Sequence, residues 1–259
     1  NNDNARTTGT ASKSVKSRAT ATTGISCTRS TITCCTTSAT TTNSSTLVGS
    51  GVYAITGNAV INGAITGVTN LSVSGTTSIG ADITTSGTQT YTGAVTLGAS
   101  TSLSTGSSAG NILFSSTVSG TNTLSTTTTG DTTFTGAIGG TPLTGLTINT
   151  ATLSAAAITL ATNNAISITN SGTGSITGII AGTGVTLTKA GAGVLTLGGS
   201  SASTYTGGTT IKAGTVQAAT NNAALGTGTV TIGDTTGTNA ASLLVSTAGL
   251  SISNAIVLA

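Results

Sequence analysis

The sequence predicts an all-β protein built as a β-solenoid, a parallel β-helix with coils of roughly twenty residues. Three observations predict it. From Leu47 onward the apolar residues follow a period of two, as in Val95 with Leu97, Leu146 with Ile148, Val185 with Leu187, Leu195 with Leu197 and Val230 with Ile232. Each pair places two apolar side chains on one strand face, with Thr or Ser between them on the other. Thr is the most frequent residue, and with Val and Ile it favours pleated, half-buried strands. Finally, aromatic residues recur in matching contexts: TQTYTGAVTLG around Tyr91, GNILFSSTVSG around Phe114, GDTTFTGAIGG around Phe134 and ASTYTGGTTIK around Tyr205. The first three lie roughly twenty residues apart, the length of one coil.

Composition sharpens this reading. Charged residues are 4% of the 259 and aromatics 2%, so the chain can neither build a core from large side chains nor cover itself with Lys and Glu. Disorder is the first rival of a Gly/Ser/Thr-rich chain, but a mean hydropathy of +0.34 and the regular return of Val, Leu and Ile argue for a folded body. Coils of this length cannot each bury a core, so they stack at about 4.8 Å with apolar residues inward. A β-sandwich is the alternative fold, although it normally carries more aromatics and a less repetitive turn vocabulary.

The chain divides near residue 45. Residues 1–45 read as a basic, Cys-containing arm or cap, and residues 46–259 as the solenoid. Five of the seven basic residues, Arg6, Lys13, Lys16, Arg18 and Arg29, fall in the first thirty positions, as does Cys27, with Cys34 and Cys35 soon after. Three cysteines allow one disulfide and leave one thiol over. The body is close to neutral and has no basic stripe, which argues against nucleic acid. ATNNA occurs twice, at Ala161 to Ala165 and at Ala219 to Ala223, and reads as a turn whose Asn side chains stack along the solenoid axis. The start at Asn1 lacks a signal-peptide pattern and the last residues read as a strand in progress, so a processed chain or a piece of a longer precursor is expected.

Little in the chain suggests catalysis. With no His, a His-dependent triad is excluded, and with no Glu, paired-carboxylate hydrolysis would fall to Asp3, Asp82, Asp131 and Asp234, which are far apart in sequence. Neither a metal site nor a cofactor is indicated. Gly191-Ala192-Gly193 precedes a strand, without the strand-to-helix geometry that holds a pyrophosphate. Lys189 and Lys212 read as solvated turn positions, and Tyr205 as a packing residue of the core or coil edge. Thr-X-Thr strings, such as Thr121 to Thr123 and Thr186 to Thr188, raise ice binding by a Thr ladder as an alternative function.

The stretch 189–226, KAGAGVLTLGGSSASTYTGGTTIKAGTVQAATNNAALG, resembles the autotransporter-associated β-strand repeat, also called the passenger-associated transport repeat. The matching elements are Lys189, Gly191 and Gly193 before Leu195 to Leu197, then Tyr205, Thr206, Gly207 and Gly208, then Gly214 to Val216. A second stretch, TQTYTGAVTLG, is similar to repeats of large secreted haemagglutinin-like adhesins. The resemblance implies a right-handed parallel β-helix carried across a bacterial outer membrane and displayed outside the cell, with any anchor supplied by a region beyond this sequence. The function expected is therefore structural or adhesive, as a surface adhesin stalk or the subunit of a self-assembling filament, and not enzymatic. Self-association into fibres, or contact with host or biofilm glycans, are the partners expected. A glycan-binding module and, more remotely, a polysaccharide-cleaving β-helix are the alternatives.

Overall fold

The computed structural model describes residues 31–106 and 108–259, with side chains described from residue 40. Every regular element among them is a strand, and the strands pair in parallel. Short strands joined by tight turns wind the chain into stacked coils, so the apolar period of two becomes apolar columns running along the axis. Leu47 lies opposite Ile65 and Ile65 opposite Ile83, making the early coils 18 residues long, while Ile166 opposite Leu187 makes a later one 21. The solenoid predicted from sequence is thus the fold observed.

Each coil has up to three faces. The first is an 11-stranded sheet running from Leu47–Val48 to Ile256–Leu258. The second stacks Asn70–Val73, Gln89–Tyr91, Ile112–Phe114, Asp131–Phe134 and later strands up to Ala241–Val245. The third stacks Thr77–Ile79, Val95–Leu97, Val118–Ser119 and later strands as far as Ile180–Ala181. Two long strands, Thr31–Asn43 and Val52–Ile61, run through both the second and third faces and join them into one 17-stranded sheet. Among the described residues, parallel pairing is already present at Thr31, inside the segment read as an arm or cap. Cys34 and Cys35 are consecutive in that first strand, opposite Ile55 and Thr56. Cys27 lies outside the described residues, as do the side chains of the other two.

The core is the set of inward columns. One column of the first face runs Leu47, Ile65, Ile83, Leu103, Thr126, Ile148, Ile168, Lys189, Ile211, Ile232 and Leu258. On the second face Tyr91, Phe114 and Phe134 are register partners. Their rings stack, with centroids 5.1 Å apart at 15° between Tyr91 and Phe114 and 4.7 Å at 4° between Phe114 and Phe134. Flat rings at this separation bury large apolar area in a narrow interior, which is why the aromatic spacing equals the coil length. Pro142, the sole proline, is exposed and sits where the third-face register shifts between Ile138 and Leu143, a bulge that tolerates its missing N–H.

Candidate functional site

The turn between the first and second faces concentrates buried polar chemistry. Thr85, Thr105, Thr128, Thr150 and Asn170 occupy equivalent positions there in successive coils, and all five are buried. A tight turn leaves carbonyls pointing into the interior, and each must find a donor or carry a desolvation cost. The column supplies those donors. Thr85 Oγ1 donates to the Gly87 carbonyl at 2.6 Å, Thr128 Oγ1 to the Gly110 carbonyl, and Thr150 Oγ1 lies 2.8 Å from both the Gly130 and Thr152 carbonyl oxygens. Thr105 Oγ1 bonds Thr128 Oγ1 at 2.7 Å, linking two coils directly. Asn170 Nδ2 donates to the carbonyls of Gly172 at 2.6 Å and Val194 at 2.9 Å, so it too spans two coils. Gln89 joins from the second face, with Nε2 donating to the Ser104 carbonyl at 2.8 Å and Oε1 accepting from Tyr91 Oη at 3.0 Å.

In the next coil this position is Gly191, which has no side chain to offer, and Lys189 takes over. Its stem lies in the inward column between Ile168 and Ile211, and its Nζ reaches across to donate to the carbonyls of Ala190 at 2.6 Å, Gly191 at 2.8 Å and Ala213 at 3.3 Å. Three donors thus meet three acceptors. Lys189 is 0% exposed, which corrects its reading as a solvated turn residue. Lys212, by contrast, is in solvent, with its Nζ 3.9 Å from Asp234 Oδ2. The long apolar stem is what lets a lysine occupy a column otherwise held by Ile and Leu.

Burial pushes the Lys189 amine down to about 8. Charging it inside the coil costs free energy, a penalty fully present below that pH and relieved as pH rises toward the unfolded value near 10.4. Stability is therefore expected to rise from about pH 7.5 to about 9.5, by on the order of 2 kcal/mol. This window stops short of the range in which the buried Tyr91 and Tyr205 hydroxyls, both pushed up by desolvation, would reverse the trend. Urea melts across the window should show the rise in the parent protein and a flat profile in Lys189→Met. An equal rise in both would assign it elsewhere.

The other residues singled out by sequence surround this corner or follow it. Gly191 adopts φ +76°, open to glycine without strain, and at Gly193 a Cβ would overlap the Gly172 carbonyl oxygen. Gly214 stacks on Gly193 in the next coil. Leu195 and Leu197 are inward on strand Val194–Leu197. Gly207 and Gly208 turn the chain into strand Thr209–Ile211. Tyr205 is buried, with its hydroxyl 2.6 Å from Thr209 Oγ1. It does not join the aromatic stack: Thr204 N–H donates to the Ile180 carbonyl, so this stretch stacks on the third face, while Tyr91 lies on the second. The two ATNNA strings also fall at different turns and do not stack on one another. Asn164 Nδ2 donates within its own turn to Ala161 and Thr162, whereas Asn222 Oδ1 accepts from Ser251 N–H of the following coil.

The described acids accept hydrogen bonds from the following coil or from their own turn. Asp82 Oδ1 accepts from Ser102 N–H at 2.8 Å and Asp131 Oδ1 from Thr152 Oγ1 at 2.5 Å. Asp234 Oδ1 takes the Thr236 N–H and hydroxyl, which hold its carboxyl below the ordinary carboxylate range. Asp3 lies outside the described residues.

A stack of parallel coils, each sealed to the next by apolar columns and a hydrogen-bonded corner, defines a repeat protein of the β-solenoid class. Within it, residues 187–218 match the family model of the passenger-associated-transport-repeat. That match begins two residues before Lys189 and ends with strand Gly214–Ala218, so it contains the lysine-sealed corner and the turn that stacks above it. The repeat and the solenoid together fit an autotransporter passenger. No curated protein and no solved structure matches the chain.

Proposed function

We propose that this chain is an extracellular structural solenoid of a bacterial surface, serving as an adhesin stalk or as the subunit of a filament. The observation that carries the proposal is the passenger-associated-transport-repeat lying in register within a continuous parallel stack. Rigidity in such a stack comes from backbone pairing repeated coil after coil, which suits a spacer that holds something away from a membrane. Placing residues 1–259 between a secretion signal and an outer-membrane transport barrel is the direct test. The expected result is a chain on intact cells that is accessible to antibody and folded as β structure. Retention in the periplasm would overturn the proposal.

The filament form has its own test, because parallel coils that pair through their strand edges can also pair between chains. The purified 259-residue chain is expected to sediment as concentration-dependent oligomers, and Val257→Lys with Leu258→Asp to shift it to monomer. A strictly monomeric parent protein at high concentration leaves the stalk alone.

A further inference from the structure

The outward side of the first face carries two files of polar residues, all but Asn149 bearing a hydroxyl, set one above another by the strand register. The longer file is Ser102, Ser125, Thr147, Ser167, Thr188, Thr210 and Thr231, one residue per coil and unbroken. Beside it run Thr84, Ser104, Thr127, Asn149 and Thr169. The register places Asp82 next below Ser102 and Lys212 two coils above Thr169, and between those ends neither file contains a charge. Residues stacked along the axis are about 4.8 Å apart, and those two positions along a strand about 6.6 Å apart. The result is a rectangular grid rather than a single stripe. The second face has no equal, because its central outward file is broken by Leu113 and ends on Gln217 and Leu244.

Among the described residues, no protein group accepts from or donates to any of the seven hydroxyls of the longer file, and all seven are half-buried or exposed. Their hydrogen bonds therefore go to whatever lies against the face. A backbone-fixed grid imposes its own two repeats on that layer, and the repeat along the axis lies near the shorter oxygen repeat on faces of hexagonal ice. Threonine methyls between the hydroxyls leave water few alternative orientations.

We infer that the outward side of the first face, centred on Ser125, Thr147, Ser167 and Thr188, binds ordered water and through it the surface of ice. This goes beyond the scaffold role and does not depend on it. A crystalline polysaccharide is the competing flat ligand. Sugar rings are held by exposed aromatic platforms, and here Tyr53, Tyr91, Phe114, Phe134 and Tyr205 are all buried. The chemistry on the face thus favours a lattice of water.

Thermal hysteresis and ice recrystallisation of the 259-residue protein test the inference. The parent protein is expected to show both a freezing-point gap and inhibited recrystallisation. Thr147→Lys with Ser167→Lys should abolish both, to the buffer baseline. Thr133→Lys with Ser175→Lys on the second face should retain them. All three proteins should keep the same far-UV β spectrum, which separates loss of the face from loss of the fold. No hysteresis in the parent protein, or equal loss in the second-face variant, would overturn the inference. So would retention on insoluble cellulose or chitin that the first-face variant loses while freezing behaviour is unaffected.

Discussion

Phe114→Ala is expected to lower the unfolding free energy by about 4 kcal/mol, the middle of the range for truncating a buried aromatic. Phe114 is the middle ring of three, 0% exposed, and its removal strips Tyr91 and Phe134 of one stacking partner each. Both neighbours are held by strand register, and Tyr91 is tied further by its hydroxyl to Gln89, so the gap cannot close by collapse. Each lost ring pair adds about 0.5–1.5 kcal/mol to the apolar area exposed. Phe114→Leu, which fills most of the space without stacking, should cost roughly 1–2 kcal/mol. The measurement is a urea melt followed by far-UV circular dichroism. A loss below 1 kcal/mol for the alanine variant would mean that the stack contributes little.

Gly193→Ala should be nearly as damaging, at roughly 3–4 kcal/mol, although it adds a single methyl group. The added Cβ would overlap the Gly172 carbonyl oxygen and come within 2.7 Å of Asn170 Nδ2 and 2.8 Å of the Asn170 carbonyl oxygen. Those atoms belong to the coil beneath and carry the hydrogen bonds that seal the corner, so they cannot move without breaking them. Gly140→Ala is the matched control. A Cβ there meets nothing within 4 Å, and the usual Gly→Ala gain of about 0.4–1 kcal/mol should appear instead. Equal effects at the two positions would show that coil contact is not what fixes glycine at the corner.

The solenoid was legible because its two main signals are local. Period-two pairs such as Leu146 with Ile148 fix which side chains face inward, and the spacing of Tyr91, Phe114 and Phe134 fixes the coil length, so stacking follows. The repeat around Lys189 was legible as a string. The corner it forms was not. Thr150 and Thr147 are the same residue three positions apart, one buried against carbonyls and the other facing solvent, and nothing in local composition separates them. The side of a turn residue depends on where the coil bends. Lys189 was read from its charge as a surface residue, whereas the decisive fact is that Gly191 leaves three carbonyls without a side-chain donor. Tyr205 shows the same limit, since near-identical TYTG strings fall on different faces when the coils differ in length.

The handover of donors from Asn170 to Lys189 has a mechanical consequence. A solenoid pulled by its ends does not shear as a block, because each coil is held only by its neighbours, and it peels one turn at a time. Each coil released frees about twenty residues, or roughly 70 Å of extended chain. A corner bonded only within its own coil gives no warning to the next. Here Asn170 holds the Val194 carbonyl above it and Lys189 the Ala213 carbonyl above that, so three successive turns are cross-linked by side chains as well as by strands. Thr105 and Thr150 make such bonds between earlier coils, so along this corner an advancing tear must break side-chain and backbone bonds together, the passenger-associated repeat included.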